Sequence, residues 1–570
     1  MAKIFIGKYP VLTFEYDGFI DKHWNEGLSS YLIEQYGSKK RTIQKDVEEI
    51  FLSGFEYLVD KFRTLILQQK SELFFHYAFL LHETSIDLYK KQLEGYVLPE
   101  VINNDFPRYR RILKLILEQG CDIDITTKQK IDEQAILSIL QELYYLAHWM
   151  YEFADNIALL KMIPNSFFIE FEDGVFTYGW QHNYGELHDL LMREFAVDYE
   201  TYFDEKALEE LKDTLEKNFN IDYDKALGII LVIKRHFSSN PNQTIEPYVL
   251  PINLAHECKT SEDNTRAFYN GLTLNRVNKL SIEDAILKPH SIKRYMYRPI
   301  LVYKIDGVDR ALIGENKIAE SMMVLASNAI HWNTMQEEWI ANKGIEKFMN
   351  QKGHEHDRLL EDEIEKIIRQ NGYPFCRNIK SFRQINNNNV NINIKGIGEI
   401  DYIVVNKDKK KIFIADTKYN KARYEAVGYR MDYTNFQKYE LQLERKYNWL
   451  KGNLLILEEH LIEMFSIDYS IQNFEVIPIF FINTPTFYML NGKYKAITLV
   501  RISEFLEGIW NYPPVALTNP KRGIKYTYTH PYFSKSPKIS YESYRGFFNY
   551  VFLWWKNIWS SVLAIAKNNK

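Results

Sequence analysis

Residues 396–421 read GIGEIDYIVVNKDKKKIFIADTKYNK, two strand-like runs around a charged turn. In the first run Ile400, Tyr402 and Val404 share one face, and Glu399, Asp401, Ile403 and Val405 share the other. That is the period of two by which a strand sends successive side chains to opposite sides. Asp401 therefore lies on a face that turns apolar two residues later. NKDKKK, 406–411, is a solvated turn. The returning run puts Ile412, Ile414, Asp416 and Lys418 on one face and Phe413, Ala415 and Thr417 on the other. Paired, the two strands deliver Asp401, Asp416 and Lys418 to one place.

Two carboxylates held close together repel, and each raises the pKa of the other unless a cation joins them. Oxygen ligands of this kind suit Mg²⁺, with Mn²⁺ as a substitute. Such an ion activates water and holds a phosphate oxygen, and a lysine one strand step away can orient the water or stabilise developing charge. The plain alternative is a structural ion pair.

Working outward, DRLLEDEIEKIIRQNGY, 357–373, predicts a helix with Ile364, Ile367 and Ile368 on its apolar face and Gly372 at the C-cap. Glu361, one turn before Ile364, borders that stripe, and Glu365 is the second choice. Val390, Ile392 and Ile394 alternate with Asn and read as a strand after the turn at 386–389. YTNFQKYELQLERKYNWL, 433–450, predicts a helix. FEVIPIFFINTP, 474–485, and YKAITLVRISEFLEGI, 494–509, predict two apolar strands, the second leading into a helix.

The helix with Glu361, the GEID of 398–401, the DTK of 416–418, the helix that follows and the two later strands come in the order α-β-β-β-α-β-β-α. This region, about 355–510, resembles the PD-(D/E)xK nuclease superfamily. The resemblance implies a restriction-endonuclease-like α/β core. It also implies that Asp401, Asp416 and the carbonyl of Thr417 hold Mg²⁺, that Glu361 completes the site, and that Lys418 assists the attacking water. Ile400 stands where the family often has Pro, and the third-strand acid is Asp rather than Glu. DTKY of 416–419 followed by Lys421 is also similar, over a few residues, to nuclease subunits of modification-dependent restriction systems. The expected function is a metal-dependent DNA endonuclease in restriction or anti-phage defence. The alternative is an inactive nucleic-acid-binding or assembly protein that reuses the fold.

Between 401 and 450 there are 11 Lys and Arg against 7 Asp and Glu, a local basic excess in a chain of net charge −4. It fits a surface that tracks phosphates, with Lys421, Arg423, Arg430 and Lys438 as candidates; a solvated charged helix explains each equally well. Cutting both strands would suggest a homodimer. The chain carries no phosphate-binding Walker pattern, which leaves nucleotide hydrolysis to a separate NTPase or defence-system partner.

At 570 residues the chain is too long for a single core. The expected architecture is multidomain α+β. Residues 1–240 are a mainly helical N-terminal region with short strands, including a hairpin turning at Asp173-Gly174. Residues 241–350 are a connector with a hairpin at Asp306-Gly307 and a helix. Residues 351–512 are the nuclease domain, and 513–570 an extension with an apolar aromatic helix. Hydrophobic residues at 46% and charged ones at 26% exclude a disordered chain. Cys121, Cys258 and Cys376 have no metal-binding or disulfide spacing, and no signal peptide is read at the start, so a cytoplasmic setting is expected. FFNYVFLWWKNIWSSVLAIA, 547–566, carries one charge, Lys556, at its middle. It reads as a buried or partner-contacting helix, with membrane contact as the sharper alternative. His256-Glu257 lacks the second His of a zinc helix, and GHEHD, 353–357, reads as a solvated helix start rather than a metal site.

Overall fold

The structure is a computed structural model that describes residues 2–6, 8–13, 18, 20–99, 106–181, 205–237, 244–325, 330, 332, 334–385, 388–421, 423, 425–508, 515–519 and 524–528. The aromatic run at 547–566 lies outside them. The architecture is mixed α+β with several sheets. No helix among the described residues is long and apolar enough to cross a membrane.

The N-terminal region is built on the long helices Gln44–Leu67, Glu72–Leu93, Phe106–Gly120 and Glu133–Met162. The last is buried along most of its length, as its broad apolar stripe requires. Asp132 caps it by accepting from the Ala135 N–H at 2.7 Å. The hairpin Phe167–Glu172/Val175–Trp180 turns where the sequence places the turn, with Asp173 and Gly174 both at positive φ, 51° and 79°. Its Phe176 and Tyr178 pack against Phe51 and Phe153. A second hairpin, Ile300–Ile305/Val308–Ile313, turns at Asp306-Gly307 as expected. Short strands Asp124–Ile125 and Thr273–Leu274 join one side of it and Thr244–Ile245 the other, so one sheet draws strands from both sides of residue 240.

The C-terminal part is a layered unit. Its elements are α1 (Lys343–Gln370), β1 (Phe375–Ile379), β2 (Ile400–Asn406), β3 (Lys411–Lys418), α2 (Ala426–Gly452), α3 (Leu454–Phe465), β4 (Glu475–Ile482), β5 (Lys495–Thr498) and α4 (Ile502–Glu507). The strands lie in the sheet in chain order. The β1–β2 and β2–β3 pairs are antiparallel, and β3–β4 and β4–β5 are parallel. The even–odd alternation sorts the side chains. Tyr402, Val404, Phe413 and Ala415 face Leu360, Ile364 and Ile368 of α1, with Phe505 and Leu506 of α4. Ile403, Val405, Ile412 and Ile414 face Phe436, Leu443 and Leu450 of α2, with Leu457 and Leu461 of α3. Each fully buried aliphatic or aromatic side chain contributes roughly 1.5–3 kcal/mol relative to an exposed one.

Gly372 follows α1 with φ 72°, the left-handed position expected of it. The first strand differs from expectation. The Val390 run forms only a short hairpin, Ser381–Arg383/Asn389–Asn391, outside the main sheet. The strand beside β2 is Phe375–Ile379, whose alternation is masked by consecutive buried Phe375 and Cys376, by Arg377 and by Asn378 at φ 52°.

The start of α2 is shared with the N-terminal core. Ala426, Val427 and Tyr429 belong to that core, and the Val427 N–H donates to Asp155 at 3.3 Å. Glu425 is buried beside Arg111 and His290, at 3.5 and 3.2 Å. Against the cost of burial, the Arg111 charge and the His290 hydrogen bond hold its carboxyl well below the usual range.

Candidate active site

The antiparallel register pairs Tyr402 with Ala415, which sets Asp401 and Asp416 side by side at the next step. Both belong to the face that meets α2. Asp416 is fully buried and Asp401 is partly open, its side chain 22% exposed. The Oδ2 of Asp401 accepts from the Thr417 N–H at 2.7 Å and from the Thr417 hydroxyl at 3.0 Å. Lys418 Nζ lies 3.7 Å from Asp416 Oδ2 and 4.8 Å from the centre of the Tyr439 ring. The structure thus brings Asp401, Asp416, Thr417 and Lys418 together.

A residue that the sequence reading passed over lies among them. Lys446 of α2 places Nζ 2.5 Å from Asp416 Oδ1 and 3.9 Å from Asp401 Oδ1. Its side chain is 9% exposed. The signal was present in the pattern: Phe436, Leu443 and Leu450 form the buried stripe of α2, and Lys446 falls on it, three residues after Leu443 and four before Leu450. A lysine on an apolar stripe needs a buried anion, and the sheet supplies two.

Burial raises the pKa of Asp416, and the charge of Asp401 adds to it, while Lys418 and Lys446 oppose it. Asp416 Oδ2 is buried without a hydrogen-bond partner. That orphaned oxygen, the Asp401 carboxylate and the adjoining Thr417 backbone make an oxygen donor set that fits Mg²⁺ or Mn²⁺. No group of three or more His, Cys, Asp or Glu able to hold a metal ion occurs among the described residues.

Glu361 is engaged by β1. Its helix packs on the opposite face of the sheet, its carboxylate takes Arg377 at 2.7 Å, and its carbonyl accepts from the Tyr402 hydroxyl at 2.6 Å. Glu365 also pairs with Arg377, at 2.8 Å. The carboxylate of α1 that senses the site is Asp357, one turn earlier. Partial desolvation raises its pKa, Glu361 and Asp401 add to this, and His354 and Lys418 counter it. Asp357→Asn is therefore expected to slow any cleavage by about 10–100-fold, the usual cost of a supporting residue. Glu361→Gln should change stability by no more than about 1 kcal/mol, since Asp362 and Glu365 still hold Arg377. Rates for the two variants check this; a larger loss with Glu361→Gln contradicts the placement.

The proposed phosphate-tracking residues divide. Lys438 is exposed and Arg430 half-buried on α2. Arg423 is bound to Asp432 at 2.9 Å, and Lys421 is buried. Neither of these two is a solvated surface cation, because the loop after β3 folds inward onto the N-terminal region. Burial, with Arg423 nearby, lowers the Lys421 pKa to about 8. Unfolded lysine titrates near ~10.4, so between these values the unfolded chain binds more protons and stability rises with pH. Lys421→Met removes that dependence. Urea unfolding at about pH 7.5 and 9.5 should show wild-type stability gaining on the variant at the higher pH; an unchanged difference contradicts a depressed Lys421.

His356, in the GHEHD stretch, is buried against Tyr419 and Trp332, with ring centres 4.0 and 4.8 Å apart. It lies inside α1 and is buried, not at a solvated helix start.

No protein-family model, no curated protein and no solved structure matches this chain.

Proposed function

We propose that this chain is a metal-dependent DNA endonuclease acting in restriction or anti-phage defence, with residues 1–350 serving recognition, sensing or partner binding. The observation that carries the reading is the pairing of Asp401 and Asp416 on adjoining strands, with an orphaned buried oxygen on Asp416 and Lys418 beside it. The element order α1-β1-β2-β3-α2-β4-β5-α4, in which α3 is an addition between α2 and β4, supports a restriction-endonuclease-like core. The defence setting rests on the family resemblance of the GEID and DTK stretches.

In this reading Asp401, Asp416 and the Thr417 carbonyl hold Mg²⁺. When bound, the ion supplies Lewis-acid polarisation of a phosphate oxygen and a water of lowered pKa. The Thr417 N–H and hydroxyl fix the Asp401 carboxylate, so that its other oxygen keeps one orientation. Lys418, held over Tyr439, orients the attacking water or meets the charge that develops on the phosphate. Asp357 stands nearby on α1, its pKa raised by partial desolvation.

One observation favours the second reading, a non-enzymatic nucleic-acid-binding or assembly protein: Lys446 neutralises Asp416 without any metal. Incubation with circular duplex DNA separates the two. Nicking or linearisation in Mg²⁺ that EDTA abolishes supports the nuclease; intact circles in both Mg²⁺ and Mn²⁺ favour the scaffold.

A further inference from the structure

A cleft of about 520 Å³ opens beside the carboxylates, walled by α1, the loop after β3, α2 and the segment around Trp332. Its volume falls within the roughly 300–1,000 Å³ of small-molecule sites. It shares Asp357 and Tyr439 with the site itself, and Lys418 lies 4.8 Å from the Tyr439 ring centre. What occupies the cleft therefore lies next to the reacting phosphate.

The lining has the chemistry of base recognition. Trp332 and Tyr419 are half-buried, with ring centres 5.5 Å apart, and buried His356 packs against both. Half-exposed rings backed by a buried ring form a stacking platform for a flat π system. Two side-chain amides, Asn420 and Asn435, line the same cleft and can donate and accept toward a base edge. The Asn420 backbone is fixed on both sides by Asn483, at 2.6 and 2.8 Å, while its side-chain Nδ2 has no hydrogen-bond partner. Lys421 lies on the same wall, and Arg423 is held there by Asp432 at 2.9 Å.

We propose that this cleft takes one unpaired nucleobase of the DNA strand whose phosphate lies at Asp401 and Asp416, an assignment that rests on the nuclease reading above. A paired base cannot enter, because its faces and its Watson–Crick edge are already occupied. The substrate is then a strand with at least one base out of the stack next to the cut: single-stranded DNA, or a duplex from which a base is turned out.

The test uses the full chain and a short single-stranded oligonucleotide carrying one 2-aminopurine, with EDTA and again with Ca²⁺. Binding should quench the fluorescent base as it stacks. Trp332→Ala should weaken binding about 5- to 150-fold, the loss of one base–aromatic stack. Trp332→Phe should restore most of it. Asn435→Trp, which fills the cleft from the half-buried face of α2, should abolish quenching without touching the core. Absence of wild-type binding in both conditions, or unchanged binding and quenching in both Trp332→Ala and Asn435→Trp, overturns the assignment. Cleavage in Mg²⁺ is scored separately on the same proteins. Cutting that ignores these substitutions removes the base site and keeps the nuclease; base-dependent binding without cutting does the reverse.

Discussion

Lys418→Ala is expected to lower metal-dependent cleavage by about 10²–10³-fold, the usual loss when a group that meets transition-state charge is removed. Its ammonium is 3.7 Å from Asp416, and its side chain is 19% exposed where that of Asp416 is fully buried. The fold should tolerate the change, because Asp416 keeps Lys446 as its buried counter-ion. The unfolding midpoint should therefore move little while the rate collapses. Single-turnover cleavage and thermal unfolding on the same preparation check this. A variant that cuts at the wild-type rate would remove Lys418 from the chemistry.

Lys446→Met should have the opposite signature. Here the buried cation goes, and Asp416 remains fully buried beside Asp401. Removing one partner of a buried pair costs up to about 3–5 kcal/mol, and Lys418, still 3.7 Å from Asp416, offsets part of that loss. On the proposed function a divalent cation competes with Lys446 for the same carboxylates, so the variant should regain stability in Mg²⁺ by more than the wild type does. The gain follows the ligand concentration relative to its dissociation constant. Urea unfolding in EDTA and in Mg²⁺ reads both effects. If Mg²⁺ stabilises neither protein, the pair is a structural ion pair and the site does not take a divalent cation.

The turns and strands of this chain were legible because short-range chemistry sets them. Asp173-Gly174 and Asp306-Gly307 adopt the positive φ values that tight hairpins need. The alternation through 400–405 and 412–416 told which face each acid shares, and the register brought Asp401 to Asp416. What the sequence left obscure depends on which elements meet. Glu361 borders the apolar stripe of α1 as expected, yet Arg377 of β1 claims its carboxylate, and β1 itself had not been read as a strand. Lys421 and Arg423 looked like surface cations until the loop after β3 was seen to fold against His290 and the N-terminal helices. Lys446 sat in plain view on the stripe of α2, but its partner lies 30 residues away on a strand. Trp332 meets Tyr419 only in the tertiary fold, where both rings also pack on His356 of α1.

The shared core at the start of α2 has a functional corollary. Arg111, Asp155 and His290 of the first 350 residues hold Glu425 and Val427, and the same helix carries Lys446 and Tyr439. The N-terminal core thus packs directly on the start of the helix that covers the carboxylates.

The most direct measurement is cleavage of circular duplex DNA in Mg²⁺ by the wild type and by Asp416→Asn. This substitution keeps an oxygen for Lys446 to donate to and removes the charge that a metal needs. Nicked or linear product from the wild type, lost with Asp416→Asn and lost in EDTA, is the predicted result. Equal product from both proteins, or none from the wild type in Mg²⁺ and Mn²⁺, would contradict a metal-dependent nuclease built on Asp401 and Asp416.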